Sequence, residues 1–163
     1  ICVPSRASIM TGNYSHKNDV YTLSDSLTID KESIARILQE NGYATSIVGK
    51  WHLKEIPQGF DYVKLLPGQG RYHNPVFRTP ESWNDKEKLE EIKGFSSDVI
   101  GDLSIKWLEK RNKNQPFFMM THFKATHEPF DYPERFTDLY QGESIPEPKN
   151  LRVHPNTEFA GQQ

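Results

Sequence analysis

This 163-residue chain is short of several things, and each shortage removes a class of protein. It has one cysteine, Cys2, so no internal disulfide can staple it. It has no apolar run approaching the length of a membrane span. It has no excess of one charge: the net charge is -2 with both signs interspersed. That leaves no basic footprint for nucleic acid. It has no internal repeat and no low-complexity segment. No signal peptide is visible, which excludes nothing here. With 35% hydrophobic and 26% charged residues, the composition leans polar but suffices for one domain with a core.

The solitary cysteine heads the most informative stretch, Cys2-Val3-Pro4-Ser5-Arg6-Ala7-Ser8-Ile9-Met10-Thr11-Gly12. Arg6 puts a permanent cation near the sulfur, and a cation favours the reactive thiolate. The plain alternative is a buried cysteine near a helix start. A thiol phosphatase loop would need arginine six residues after the cysteine, where this chain has Ser8.

Hydrophobic periodicity predicts an α/β chain. Ser5 to Thr11 reads as a short helix stopped by Gly12, and 13–28 as polar loop. Ile34, Ile37 and Leu38 recur at helical spacing, with Thr28 or Asp30 as the candidate cap and Asn41-Gly42 as the stop. Tyr43 to Val48 reads as a buried strand ending at Gly49. Residues 53–85 read as a long irregular loop, and Lys86 to Lys93 as a solvated turn or short helix. Ser96 to Lys110 reads as an amphipathic helix carrying Val99, Ile100, Leu103, Trp107 and Leu108 on one face. Pro116 to Phe123 reads as an apolar strand. Beyond about residue 140 the sequence reads as a proline-rich connection, 141–163, whose packing partner lies elsewhere.

Two strand ends carry chemistry. Gly49-Lys50-Trp51-His52 follows the first strand, and Lys124-Ala125-Thr126-His127-Glu128-Pro129-Phe130 follows the second. If both strands share one parallel sheet, these groups gather at one edge, where such sheets place ligands. Taken singly, His16, His73, His122 and His154 read as structural or solvent-facing. Leu66 to Pro75 combines turn glycines with Arg71, Tyr72, His73 and Asn74, a mixture suited to a sugar.

Cys2, Pro4, Ser5, Arg6, Thr11 and Gly12 together resemble the signature of type I sulfatases, of the alkaline phosphatase-like superfamily. Gly-Lys-Trp-His and His-x-Pro-Phe resemble two further motifs of that family, in the same order. The loop resembles one in bacterial sulfatases that remove 6-O-sulfate from N-acetylglucosamine. The resemblance implies a mixed sheet sandwiched by helices, incomplete in this chain. It implies that Cys2 is oxidised to formylglycine by a maturation enzyme. One hydroxyl of the hydrated aldehyde then attacks the sulfate ester, and loss of the second hydroxyl's proton expels sulfate. Arg6 would stabilise the modified side chain. Lys50 would contact both sulfate and formylglycine, His52 would bond the diol, and His127 would face the leaving oxygen as acid. Lys124 is either a substrate contact or an exposed lysine, the commoner case. Arg71 and His73 are candidate sugar contacts.

Calcium is the implied metal, with Cys2 (as formylglycine) one ligand and the others outside the chain. The expectation is therefore an internal fragment of a catalytic domain, inactive alone, from an enzyme acting on a sulfated saccharide. By analogy the compartment is periplasmic, extracellular or lysosomal. Two rivals remain: a phosphonate or phosphate monoester hydrolase of the same superfamily, and a non-catalytic relative that binds sulfated glycan.

Overall fold

A strand apolar on both faces is stable only inside a layered sheet. Strand β1, Ala44–Lys50, is such a strand, buried from Thr45 to Lys50. In the computed structural model, which describes residues 1–28 and 33–149, β1 is the middle of a three-stranded parallel sheet. Strand β2, Tyr62–Leu66, pairs along one side of it, with Ser46 opposite Tyr62 and Lys50 opposite Leu66. The strand from Phe117 to His122 pairs along the other, with Ala44 opposite Phe117 and Gly49 opposite His122. A two-residue antiparallel pair, β3 (Val76–Phe77) and β4 (Glu90–Glu91), joins the outer side of β2 through a bridge between Arg78 and Leu65. The Phe117–His122 strand is therefore β5.

Helix α1, Cys2–Thr11, starts three residues before the predicted Ser5. Pro4 sits in its first turn, where a missing N–H costs nothing. Val3, Ala7 and Met10 recur on its buried face. Gly12 ends it at φ +66°, its N–H bonding the Ser8 carbonyl. The segment expected to be loop holds one helical turn, α2, Ser15–Asn18. Helix α3, Ile34–Glu40, is capped by neither Thr28 nor a more distant residue: the Ser33 hydroxyl accepts from the Arg36 N–H. Asp30 lies outside the described residues. Helix α4, Ser96–Lys110, forms where the periodicity placed it.

The sheet's two faces fill differently. Ile47, Val63 and Leu65 meet Val3, Ala7 and Met10 of α1 and Ala35 of α3. Val48 and Leu66 meet Val99 and Ile100 of α4, with Phe77. The connection after β1 was expected to be irregular, yet it contains β2. Pro57 and Pro67 flank that strand without interrupting it. The charged stretch after it is a 3-10 turn, Lys86–Lys88, followed by the exposed β4. Residues 141–149 are exposed and without helix or strand, and the rest of the expected proline-rich connection, His154 included, lies outside the described residues. Among the described residues no helix is long and apolar enough to cross a membrane.

Candidate active site

Three chain segments meet at the C-terminal end of β1. Cys2 and Arg6 are one turn apart on α1, so both side chains lie on one helix face. Lys50 ends β1, and the backbone turns sharply after it. Trp51 is fully buried and donates its indole N–H to the Glu55 carbonyl at 2.7 Å. His52 takes φ +61°, a left-handed conformation uncommon outside glycine. That turn sets His52 Nδ1 3.2 Å from Cys2 Sγ. Arg6 Nη1 donates to the Lys50 carbonyl at 2.8 Å and lies 2.7 Å from His122 Nδ1 at the end of β5.

The approach of β5 to β1 depends on one residue. Gly49 lies opposite His122 at φ +103°. A Cβ there would sit 1.9 Å from the His122 carbonyl oxygen. Only glycine permits this register without displacing β5.

The cluster is cationic and poorly solvated. Lys50 is 2% exposed and Lys124 4% exposed. Burial pushes the Lys50 ammonium below its ordinary pKa, and the charges of Arg6 and Lys124 push it further, against an opposing pull from Cys2. Burial likewise lowers Arg6 and Lys124, with Glu128 opposing at Lys124. His52 is pushed below its ordinary pKa by desolvation first, then by the charges of Lys50 and Arg6. His122 is pushed down to about 4, by burial first and then by Arg6. Among the described residues, no carboxylate lies within ion-pair distance of Arg6, Lys50 or Lys124.

Loop 66–75 reaches this cluster through residues other than those first singled out. Gln69 Oε1 accepts from the Lys50 ammonium. The Tyr72 ring lies 4.8 Å from the Lys124 ammonium, and its hydroxyl donates to the His127 carbonyl. Arg71 instead pairs with Glu91 and donates to the Asn74 carbonyl at 2.6 Å. His73 Nε2 lies 2.9 Å from Asp131 Oδ2. Both remain about half-exposed or more. Lys124 is no surface lysine. His127 Nδ1 donates to the Glu128 carbonyl at 2.9 Å, which leaves Nε2 for a ligand. Gln69, Gly70, Lys124, His127, Glu128 and Pro129 line an open groove of about 500 Å³.

Cys2, Arg6, Lys50 and His52 thus come together as expected, with Lys124 and His127 beside the groove. Sequence reasoning passed over His122, Gln69 and Tyr72. His122 has the signal of an ordinary strand residue, and only the Gly49 register marks it. Gln69 and Tyr72 lay in a segment already suspected, but their partners are distant in sequence.

The arrangement brings a half-buried thiol beside an imidazole and three desolvated cations, the kinds of group that attack on an anionic ester requires. The sulfatase family model matches residues 1–160. An N-acetylglucosamine-6-O-sulfatase of Bacteroides thetaiotaomicron is 40% identical over 151 residues, covering 91% of this chain and 26% of that protein. The solved structure of BT4656 in complex with its substrate D-glucosamine-2-N,6-O-disulfate superposes with a TM-score of 0.83 at 39% identity, over 93% of this chain and 30% of that one. The phosphonate monoester hydrolase of Agrobacterium radiobacter, at TM-score 0.58 and 17% identity over 86% of this chain and 34% of that one, shares the fold alone. The chain thus spans about a quarter to a third of the relatives it matches. Its sheet, helices and signature are those of the alkaline phosphatase-like fold, and the chain belongs to the sulfatase family.

Proposed function

We propose that the protein containing this chain hydrolyses sulfate esters of a sulfated saccharide, with formylglycine derived from Cys2 as nucleophile. The observation that carries this reading is the meeting of Cys2, Arg6, Lys50 and His52 at one sheet edge, with no carboxylate paired to the cations. The hydrated formylglycine would supply a hydroxyl nucleophile and, unlike a thiol or a single hydroxyl, a second hydroxyl whose deprotonation releases sulfate. The Cys2 position, half-buried beside His52, fits such a group.

The remaining work falls to this chain's own side chains. His52, neutral and with Nδ1 facing position 2, accepts a proton there. Arg6, held by the Lys50 carbonyl, keeps a fixed positive charge over the nucleophile. Lys50 and Lys124 stabilise the sulfuryl oxygens, and their poor solvation strengthens each contact. His127 donates from Nε2 to the leaving oxygen while Nδ1 stays on the Glu128 carbonyl. The groove beside His127 receives the sugar. Arg71 and His73, already paired with Glu91 and Asp131, extend that surface as sugar contacts.

Calcium is the proposed metal, and its ligands other than the Cys2-derived oxygen would lie outside the residues described. The described residues contain no group of three or more His, Cys, Asp and Glu side chains able to hold a metal ion, whereas calcium takes about six to eight oxygens. Among the described residues the Cys2-derived oxygen is the ligand that would be offered, and no step above passes through the ion. The sugar is proposed to be a 6-O-sulfated glucosamine derivative, by likeness to the two relatives above. A maturation enzyme acting on the Cys2 motif is the further partner, and the compartment is periplasmic, extracellular or lysosomal.

The test is mass spectrometry of the Cys2 peptide from active, full-length protein. Oxidation to the aldehyde lowers its mass by about 18 Da, replacing CH2SH by CHO. Finding the shift together with release of sulfate from a 6-O-sulfated glucosamine supports the proposal. A plain thiol in active protein overturns the nucleophile. Faster turnover of phosphonate or phosphate monoesters than of sulfate esters overturns the substrate class.

A further inference from the structure

We propose that His122 is a positioning residue for Arg6, holding the guanidinium in place with a neutral acceptor so that its full positive charge faces the reacting group. Three observations carry this. First, Arg6 Nη1 has two hydrogens and meets two acceptors, the Lys50 carbonyl at 2.8 Å and His122 Nδ1 at 2.7 Å. His122 Nδ1 also lies 3.0 Å from the Lys50 carbonyl, a contact that Nδ1 can make only by donating, so its two contacts require opposite tautomers. Second, a guanidinium has no lone pair to offer. The shorter contact, 2.7 Å against 3.0 Å, is met only by a bare Nδ1 with the imidazole proton on Nε2, and that is the tautomer the proposal takes. Third, His122 has no freedom to drift. It faces Gly49 across the β1–β5 register, at a separation that excludes a Cβ at position 49.

The choice of a neutral acceptor has a physical reason. A half-buried guanidinium needs its hydrogens satisfied. A carboxylate would satisfy them, but it would also cancel the field over the nucleophile. Histidine satisfies them without adding a charge. Burial and the Arg6 charge keep the imidazole unprotonated at the pH values where most hydrolases work.

The proposal rests on the sulfatase reading for its kinetic arm only. Three variants of the full-length enzyme test it. In His122→Asn the side-chain oxygen falls near the position of Nδ1, so kcat on a sulfated sugar stays within about threefold of wild type. In His122→Ala, Arg6 loses one anchor and kcat falls about 10- to 100-fold with KM little changed. In His122→Asp, Arg6 keeps its place but is neutralised, and kcat falls as in the alanine variant although the guanidinium has not moved. Wild-type kcat in His122→Ala, or equal losses in the alanine and asparagine variants, overturns the proposal.

Crystal structures of wild type, His122→Ala and His122→Asn give a readout independent of turnover. Arg6 is expected to leave the Lys50 carbonyl in the alanine variant and to stay on it in the asparagine variant. An Arg6 that keeps its place in the alanine variant also overturns the proposal. If Arg6 moves as expected while the wild type hydrolyses no sulfate ester, the positioning role stands and the sulfatase reading fails.

Discussion

A lysine with almost no access to water is an unusual thing to keep in a protein. Lys50 is 2% exposed and its ammonium bonds a neutral amide, Gln69, rather than a carboxylate. Replacing one member of a buried charge cluster by an apolar side chain of similar size can leave stability unchanged or raised. Lys50→Met is therefore expected to melt no lower than wild type while kcat/KM on a sulfate ester drops by about 100-fold or more. Thermal unfolding and steady-state kinetics on the same preparations check both halves. His122 makes a second prediction at this scale. Its pKa is about 4 in the fold against an ordinary 6.5, so between those values the unfolded chain takes a proton that the folded chain refuses. Stability from this group is complete above about pH 6.5, declines as pH falls toward 4, and declines no further below that. The full span corresponds to about 3 kcal/mol. His52 has a lowered pKa as well, so the measurement is the difference between wild type and His122→Asn, which should change across pH 4 to 6.5 and level off at the upper end.

At the scale of elements, β1 decides most of the architecture, and one glycine decides how β5 meets it. Gly49→Ala would place a Cβ within 1.9 Å of the His122 carbonyl and impose a side chain on a φ of +103°. The expected loss is about 3 kcal/mol or more, read by chemical denaturation, and the variant should lose activity through the displaced His122. Ile100→Ala, in the core between α4 and β1, is expected to cost about 2–5 kcal/mol. The sequence made some of these elements plain and hid others, for reasons that can be stated. Helix α4 is long, periodic and bounded by glycine and asparagine, so its two ends were legible. Strand β2 was not. Its five residues, Tyr62–Leu66, include a lysine and stand between prolines, and its identity depends on pairing with β1 rather than on local pattern. The cap of α3 went to Ser33 because the nearest hydroxyl takes the bond. Cys2, Arg6, Lys50 and His52 were legible because motifs carry their own spacing. His122, Gln69 and Tyr72 were not, since each acquires its role only through a contact across tens of residues.

At the scale of the whole molecule, a parallel sheet gathers groups from residues 2, 6, 50, 52, 122, 124 and 127 at one edge. Beyond that edge, β5 pairs with a single neighbour among the described residues, and Phe130, Tyr132 and Tyr140 are more than half-exposed. Several acidic and basic side chains elsewhere pair off, as Arg135 does with Asp98 at 2.8 Å. The cations of the site do not. Arg6 and Lys124 both act against the charge on Lys50, and among the described residues none of the three has a carboxylate within ion-pair distance, Glu128 acting on Lys124 from farther off. An inorganic dianion relieves that repulsion whether or not it arrives attached to a sugar. Millimolar sulfate should therefore raise the melting temperature of the full-length protein at constant ionic strength, and the rise should vanish in Lys50→Met. The same attraction has a price for turnover. A site that recognises its substrate by the charge of the sulfuryl group also retains the ion it has just released. Free sulfate should compete with the ester, and at high substrate the departure of product, rather than bond cleavage, should set the pace of the cycle.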